Sequence, residues 1–220
     1  MEIGLLEITA EKARRGVKSS DEKQVLLHCD RYWTMKRLLD IILGSVLLVG
    51  LLVPMAMIAI AVRLTSKGPV LYWSDRVGRG NRIFRMAKFR SMRTNAPEVA
   101  THLFSDPQSY LTPIGGFLRR SSLDELPQLL SILQGDLSLV GPRPALFNQD
   151  DLVALRTERG IHLLTPGLTG WAQVNGRDEL PIPVKVQFDF EYLKRQSFKF
   201  DLKIIGMTII KVFRGEGIKH

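Results

Sequence analysis

The clearest feature of the hydrophobic pattern is an uninterrupted apolar run near the N-terminus, residues 41–62 (IILGSVLLVGLLVPMAMIAIAV). A continuous helix rises about 1.5 Å per residue, so a helix over this run would just cross the hydrocarbon core of a bilayer. The run lies too far from Met1, and follows too many acidic residues, to be a cleaved secretory signal. One interpretation is therefore a single membrane-spanning anchor.

Pro54 favours a different interpretation, a re-entrant helix. Proline lacks an N–H and its ring clashes with the preceding turn, so it bends or breaks a helix. Basic residues flank both ends of the run: Lys36, Arg37, Arg63 and Lys67. A spanning helix would then have no clear positive-inside orientation, whereas a helix that turns at Pro54 keeps both basic ends on the cytoplasmic side. We therefore expect a re-entrant helix-hairpin over residues 35–67.

The remaining pattern predicts short strands and amphipathic helices. Residues 70–74 and 83–89 have strand composition and flank a Gly-rich turn at 78–81, which predicts a β-hairpin. Residues 126–133 predict a buried helix that ends at Gln134-Gly135. Amphipathic helices are predicted at 148–159 and 184–195, and the tail at 198–213 suits either a helix in the membrane interface or a core-packed helix.

These elements predict a mostly helical α+β fold. We expect the re-entrant helix, the small β-hairpin and the interfacial amphipathic helices to form one membrane-embedded domain. Along the chain, residues 1–34 are an N-terminal extension without an assigned role, 35–67 the membrane hairpin, and 68–220 the region on the cytoplasmic face.

Charge and composition narrow the classes of partner. The chain has 31 basic and 22 acidic residues, a net charge of +9, so it should prefer anionic partners such as nucleic acid, acidic lipid or a phosphorylated substrate. The 45% hydrophobic content excludes a disordered chain. The single cysteine, Cys29, excludes an internal disulfide, and the four scattered histidines argue against a zinc site.

A cluster of seven basic residues without an acid extends from Arg76 to Arg93. A solvated or lipid-facing surface would account for most of them. On a strand, however, Lys88 and Arg90 would point to the same side, as coordination of a phosphate requires. Binding of nucleic acid is disfavoured because no aromatic residues are interleaved as stacking platforms and the membrane segment would be unexplained.

Two adjacent carboxylates, Asp124 and Glu125, precede the predicted buried helix. Ser122 and Glu125 match a capping box, so one interpretation is that they only start the helix. Making Asp124 the cap instead places Pro127 in the first turn, where its missing N–H is not needed. In either register the positive end of the helix dipole favours the ionised form of both carboxylates. Arg119 and the neighbouring arginine act in the same direction. An ionised aspartate is a competent nucleophile toward phosphorus and a competent Mg²⁺ ligand.

Two further arginines lie in rigid loops. Arg143 stands between two prolines in residues 141–144, and Arg177 ends the Gly-rich segment 170–177. A planar guanidinium on a stiff loop is suited to a phosphate clamp, although a structural ion pair would explain either residue alone. Together they indicate a site for a diphosphate.

Three long motifs, KFRSMR (88–93), RRSSLDELPQLLSILQGDLSLVGPRP (119–144) and TPGLTGWAQVNGR (165–177), resemble the bacterial sugar transferases that initiate surface-glycan assembly, the monotopic phosphoglycosyl transferases. The resemblance runs from about Lys36 to the C-terminus. It implies transfer of a phosphosugar from a nucleotide diphosphate sugar, usually a UDP-sugar, to polyprenol (undecaprenyl) phosphate with release of UMP. This would be the first membrane step of exopolysaccharide, O-antigen, capsule or glycoprotein glycan assembly.

The resemblance also implies roles for individual residues. Asp124 would be the covalent nucleophile and the Mg²⁺ ligand, Glu125 its partner, and Arg119, Arg143 and Arg177 the lining of the phosphate site. Lys88 and Arg90, which a strand would place on one side, are expected to bind the substrate as well.

The resemblance implies a location and partners as well. The enzyme would lie in the bacterial inner membrane, in contact with membrane lipids, with its catalytic region on the cytoplasmic face. We expect the minimal catalytic unit, without the extra transmembrane helices of larger relatives. The sequence does not define the transferred sugar or the oligomeric state, and it is compatible with a homodimer. The alternative function is a non-catalytic membrane scaffold, which would not need a carboxylate pair among fixed arginines.

Overall fold

The computed structural model describes residues 20–96, 108–176 and 180–214, which form a mostly helical α+β fold with two small sheets. The helices are α1 (Ser20–Thr65), α2 (Gly115–Arg120), α3 (Gln128–Gln134), α4 (Asp150–Glu158), α5 (Trp171–Asn175), α6 (Ile182–Arg195) and α7 (Phe198–Arg214). The strands are β1 (Leu71–Val77), β2 (Ile83–Phe89), β3 (Ser138–Val140), β4 (Ala145–Leu146) and β5 (Gly167–Thr169). The predicted fold class is confirmed at this level.

Helix α1 contains the whole predicted apolar run and is longer than expected. It begins inside the predicted N-terminal extension, at Ser20, and continues through Pro54 to Thr65 as one element. The helix is therefore not broken at Pro54, because a proline removes one helical hydrogen bond while strong helix formers continue on both sides. Within the described ranges, Tyr32–Thr65 is the one stretch long and apolar enough to cross a membrane. The re-entrant path stays a prediction.

One face of α1 packs against the rest of the protein along its apolar length. Leu48 and Leu51 pack on a core cluster formed by α3 and β2, and the fully buried Val62 packs on a second cluster near β2 and α2. The opposite face is apolar and exposed, with Val49 70% and Val53 71% accessible. Contacts spaced three to four residues apart give a helix one buried stripe. The other face needs a lipid or protein cover.

Polar contacts tie both ends of the apolar part of α1 to the residues that follow the helix. Just before the apolar run, the ammonium of Lys36 lies 2.7 Å from a carboxylate oxygen of Asp201 in α7. At its end, the guanidinium of Arg90 donates to the carbonyls of Ser66, at 2.8 Å, and Lys67, at 2.6 Å. The exposed carbonyls at the end of a helix need such donors. The helix is thus fixed at both ends relative to the residues that follow it.

The β-hairpin forms as predicted, with a longer first strand. Strands β1 and β2 pair antiparallel from Leu71 opposite Phe89 to Val77 opposite Ile83, and β4 adds to the free side of β1. The turn between them requires left-handed backbone at Gly80 and Asn81, with φ of 65° and 59°. The parallel pair β3–β5 was not predicted, since strands of three residues are too short to show an alternating pattern.

The three predicted amphipathic helices are confirmed as α4, α6 and α7, with ends shifted by one or two residues. They enclose a core that includes Val140, Leu152, Ile161, Val186 and Ile204. Helix α7 confirms that one side of the tail is packed in the core, because Ile204 is fully buried, whereas Leu202 is 65% exposed and the membrane interface stays a prediction. One side of α7 therefore belongs to the core, and the other presents apolar side chains outward.

Candidate active site

Asp124 and Glu125 lie in a short 3-10 turn, Leu123–Glu125, between α2 and α3. Ser122, which precedes the turn, adopts left-handed backbone with φ of 57° and makes no side-chain cap. Helix α3 begins only at Gln128, with Pro127 at its N-cap position. Both capping predictions, through Ser122 and through Asp124, are therefore wrong. The physical reason is that the turn itself satisfies the backbone donors, since the N–H of Glu125 bonds to the Ser122 carbonyl.

Glu125 is the centre of an ion-pair cluster built from three distant segments. One of its oxygens accepts from the Lys88 ammonium at 3.0 Å and from the Arg143 guanidinium at 2.8 Å. Lys88 comes from β2 and Arg143 from the proline-bounded loop after β3. Burial raises the pKa of Glu125, but Arg143 and Lys88 together outweigh burial and hold that pKa well below its usual range. Glu125 is therefore ionised under all physiological conditions.

Asp124 is the neighbour of Glu125 but has a different environment. Its side chain is buried, and burial raises its pKa from 3.8 to about 6, although the charges of Lys88, Arg119 and Arg143 act in the opposite direction. In the described part of the chain, the ion pairs of this cluster go to Glu125 and none goes to Asp124. The expected effect of Arg119, which favours the ionised form, is present, but desolvation outweighs it and the net pKa is raised. At neutral pH it is still largely a carboxylate.

A second ion pair fixes the loop that carries Arg143. The guanidinium of Arg156 in α4 donates to the backbone carbonyl of Arg143 at 2.8 Å and to Asp189 of α6 at 2.6 Å. Asp189 is 1% exposed and Arg156 8% exposed. A buried ion pair of this kind orients the groups that it contacts. The prolines on either side of Arg143 restrict the same loop further.

Arg156 and Asp189 are supporting residues that none of the sequence motifs indicated. A signal for them exists in the pattern of the two amphipathic helices. Asp189 stands three residues from both Val186 and Tyr192 on the buried face of α6, and Arg156 stands four residues from the buried Leu152. A charged residue on an apolar helix face is expected to have a buried partner of opposite charge.

The other predicted site residues divide into three cases. Arg119 lies in the last turn of α2, and its charge lowers the pKa of Asp124. Arg90 does not join Lys88 at Glu125, because β2 ends at Phe89 and the Arg90 guanidinium is bonded to Ser66 and Lys67 instead. The prediction that Lys88 and Arg90 act as one pair is therefore wrong. Arg177 lies outside the described residues.

The donor set is compatible with Mg²⁺ that arrives with its substrate. Within residues 20–96, 108–176 and 180–214 there is no group of three or more His, Cys, Asp or Glu side chains that could hold a metal alone. Lys88 and Arg143 both bind the same oxygen of Glu125, so the Asp124 carboxylate and the second Glu125 oxygen are available as ligands. Magnesium in proteins is commonly bound by one or two carboxylates together with substrate phosphates. The residues present therefore fit this mode of binding.

The arrangement can perform nucleophilic chemistry on a phosphate. Asp124 is a carboxylate without an ion-pair partner in the described cluster, and Lys88, Arg119 and Arg143 are close enough to lower its pKa. Fixed cations beside a nucleophile stabilise the charge that develops on a phosphoryl group during attack. Glu125 keeps two of these cations, Lys88 and Arg143, in place.

Comparison with known families and proteins agrees with this chemistry. The family described as "Bacterial sugar transferase" matches residues 31–215. The chain is 39% identical over 220 residues to the "UDP-glucose:undecaprenyl-phosphate glucose-1-phosphate transferase" of Xanthomonas campestris pv. campestris, which covers 96% of this chain and 45% of that protein. It is 36% identical to the "UDP-N-acetylgalactosamine-undecaprenyl-phosphate N-acetylgalactosaminephosphotransferase" of Aeromonas hydrophila, over 88% of this chain and 47% of that protein.

A shorter relative matches nearly end to end. The "Uncharacterized sugar transferase EpsL" of Bacillus subtilis (strain 168) is 41% identical over 188 residues, 84% of this chain and 91% of that protein. By contrast, the chain spans less than half the length of the Xanthomonas and Aeromonas proteins. The match is therefore to the part of those relatives that they share with the shorter protein.

Proposed function

We propose a function from the premise that this chain belongs to the bacterial sugar transferase family. It transfers a phosphosugar from a nucleotide diphosphate sugar, a UDP-sugar, to undecaprenyl phosphate and releases UMP. The observation that carries the proposal is the contrast inside one turn: Glu125 is held by Lys88 and Arg143, while Asp124 is buried among cations without an ion pair in that cluster. The names of the relatives from Xanthomonas and Aeromonas support this choice of substrates.

In the first half-reaction a carboxylate oxygen of Asp124 attacks the phosphorus next to the sugar. The new Asp124 O–P bond forms as the bond from phosphorus to the UMP oxygen breaks, and UMP leaves with that electron pair. The phosphosugar is then an acyl phosphate on Asp124. Arg143 and Arg119 offset the charge of the diphosphate, and Arg177 is assigned to the same task from its motif.

In the second half-reaction a phosphate oxygen of the polyprenol phosphate attacks the same phosphorus. The bond between phosphorus and Asp124 breaks, the carboxylate is regenerated, and the product is a polyprenyl diphosphate sugar. Glu125 is a poor proton acceptor at neutral pH because its pKa is strongly lowered. Its role in this proposal is to position Lys88 and Arg143. Magnesium, when bound by Asp124 and the substrate phosphates, would add positive charge at the diphosphate.

The attachment of both ends of the apolar part of α1 to the residues that follow it supports a re-entrant membrane helix. Lys36 is paired with Asp201, and Ser66 with Arg90, so the two basic ends of the apolar helix contact the same group of elements. If that body lies on the cytoplasmic face of the bacterial inner membrane, both ends of the helix lie there too. This placement keeps Lys36 and Arg63 out of the hydrocarbon core.

The proposed function is tested by separating the two half-reactions. Purified protein is incubated with a panel of UDP-sugars labelled in the sugar, with Mg²⁺ and without an acceptor lipid. We expect release of about one UMP per active site for the correct sugar, label retained on a peptide that contains Asp124, and loss of the label when polyprenyl phosphate is added. UMP release that begins only after the acceptor is added would contradict the covalent step. No UMP from any UDP-sugar, with or without acceptor, would favour the non-catalytic scaffold.

A further inference from the structure

Gln128, the first residue of α3, has a buried polar side chain that the proposed mechanism does not use. The residue is 2% exposed, and the amide nitrogen Nε2 has no hydrogen-bond partner among the described residues. A buried donor of this kind has lost its hydrogen bonds to water and gained none in the protein, which lowers the stability of the folded state. Native proteins rarely leave buried donors unpaired, so this one needs a physical explanation.

The neighbours of Gln128 in the chain belong to the hydrophobic core. Leu129 is part of the core cluster that includes Ile132, and Leu126 packs against the cluster around the fully buried Val62. An apolar side chain of similar length would be more favourable at position 128 than an amide without a partner. A residue that lowers stability without a structural return is typical of a functional site.

The backbone is helical without a break from the turn Leu123–Glu125 into α3. Leu126 has φ of −54° and ψ of −37°, and Pro127 has φ of −61° and ψ of −17°. Both residues therefore lie in the right-handed helical region. Because the helical path is continuous, Gln128 lies one turn after the two carboxylates of the site.

This continuity also defines the direction of the Gln128 side chain. Successive side chains are turned by about 100° in an α-helix and by about 120° in a 3-10 helix. Four residues on from Asp124, Gln128 therefore points between the directions of Asp124 and Glu125, or in line with Glu125. Helical side chains also lean toward the N-terminus, which brings the amide back toward the turn. Asp124 is itself only 8% exposed, whereas Leu130 on the outer side of α3 is 44% exposed.

An amide adds to this site a kind of group that the cations do not provide. Lys88, Arg119 and Arg143 supply positive charge around Asp124. The Nε2 of Gln128 supplies two N–H donors on a neutral group that is held in place by burial. A phosphoryl group bonded to Asp124 brings new acceptor oxygens to the end of that side chain. A fixed donor that has no partner beforehand can stabilise those oxygens without first giving up another hydrogen bond.

We propose that the Gln128 amide donates a hydrogen bond to the phosphoryl group while that group is transferred to and from Asp124. The inference rests on the proposed function, because it requires a phosphoryl group on Asp124. Gln128 is then a catalytic residue that no motif argument had singled out. The amide exchanges no proton and is unchanged at the end of each half-reaction. Since both half-reactions pass through the same phosphorus, the donor serves both.

The test uses Gln128→Met, which keeps the length of the side chain and removes its donors. We expect the rate constant of the acceptor-free UMP burst to fall by about 100-fold, the effect of removing one preorganised donor. The rate at which polyprenyl phosphate removes the label from the Asp124 peptide should fall by a similar factor. The KM for the UDP-sugar should change little, because the hydrogen bond is made to the group in transfer.

The stability of the same variant separates a catalytic from a structural amide. Removal of an unpaired buried donor should raise the unfolding temperature of Gln128→Met by about 2 to 4 °C. Gln134→Met is the matched control, because Gln134 is exposed at the other end of α3. The control should change neither the two rate constants nor the unfolding temperature.

Slower transfer in both half-reactions, with an unfolding temperature no lower than that of the wild type, supports the inference. Wild-type rate constants in Gln128→Met would overturn it. A lower unfolding temperature would overturn it as well, since the amide would then hold the turn in place. Slowing of the first half-reaction alone would mean that the amide contacts the nucleotide instead. If the wild type itself shows no burst, the proposed function fails before any variant is compared, so the two failures are distinguishable.

Discussion

The two sides of the Leu123–Glu125 turn differ sharply in their electrostatic state. On the Glu125 side a carboxylate is paired with Lys88 and Arg143, and its pKa lies far below the usual range. On the Asp124 side the neighbouring carboxylate is buried outside these pairs, and its pKa is raised to about 6. The difference teaches that the fold uses one carboxylate to hold the cations in place and leaves the other, the proposed nucleophile, outside these ion pairs.

The geometry of the turn explains how adjacent residues reach different surroundings. A 3-10 turn has about three residues per turn, so successive side chains point about 120° apart. Glu125 is thereby directed to β2 and the proline-bounded loop, where Lys88 and Arg143 lie. A capping box would require an α-helix that starts at Ser122. In that helix the two carboxylates would point about 100° apart, and Pro127 would lie inside the helix.

The Glu125 side has further support behind it. Arg156 and Asp189 form a buried ion pair, and Arg156 also bonds to the backbone of Arg143. Arg143, which contacts Glu125, is thus fixed through its main chain as well as its side chain. The Glu125 side is preorganised, whereas the Asp124 side carries a buried charge that opposes folding.

The largest expected effect follows from replacing the reactive carboxylate. Asp124→Asn should lower UMP release by roughly 10⁴-fold or more, because an amide is a poor nucleophile. The same variant should unfold at a higher temperature at pH 7. The folded pKa of about 6 exceeds the unfolded value near 3.8, so the folded state binds this proton more tightly and loses stability as pH rises from 4 to 6.

The control for this pair of measurements is Asp136→Asn, a substitution at an exposed aspartate after α3. It should change neither UMP release nor the unfolding temperature. If Asp124→Asn unfolds at a lower temperature than the wild type at pH 7, the Asp124 carboxylate is stabilising, and the contrast between the two sides of the turn is incorrect.

The second prediction concerns Glu125. Its replacement should destabilise the protein, whereas replacement of Asp124 should stabilise it. Glu125→Gln leaves Lys88 and Arg143 without their anionic partner, so the free energy of unfolding should fall by about 2 kcal/mol, between the values for exposed and fully buried pairs. UMP release should fall by about 10- to 100-fold, since misplaced binding groups slow the chemical step without removing the nucleophile.

Glu158→Gln provides the matched control, because Glu158 is exposed at the end of α4. Chemical denaturation of both variants measures the difference in stability. If Glu125→Gln lowers the free energy of unfolding no more than Glu158→Gln does, the ion pairs of Glu125 are not important for the fold.

The parts of this structure that were predictable from sequence are those with a long or regular pattern. The apolar run gave α1, strand alternation and a Gly-rich turn gave the hairpin, and helical spacing gave α4, α6 and α7. The candidate residues Asp124, Glu125, Arg119, Arg143 and Lys88 were found because their motifs are specific, and the structure brings them near one turn.

The parts that were not predictable depend on tertiary burial. The pKa of Asp124 is set mainly by desolvation, which a short polar motif such as SSLDELP does not reveal. Arg90 was assigned to the wrong side because one residue decides where β2 ends, and a strand boundary is the least certain feature of a pattern. The Arg156–Asp189 pair joins two helices whose packing could not be derived from their separate periodicities.

The smallest expected effect, and the most direct measure of the contrast, is the pH dependence of the first half-reaction. Because only ionised Asp124 can attack, the acceptor-free rate of UMP formation should rise about tenfold per pH unit below 6 and level off above it. Glu125 stays ionised throughout, so it adds no second inflection in this range.

The negative charge of Glu125 is one of the factors that raise the pKa of Asp124, and Glu125→Gln should therefore move the inflection to lower pH. Rapid-quench measurements of both proteins across this range decide the matter: an inflection that does not move would show that the two carboxylates are not coupled, and one already near 4 in the wild type would show that Asp124 is solvated.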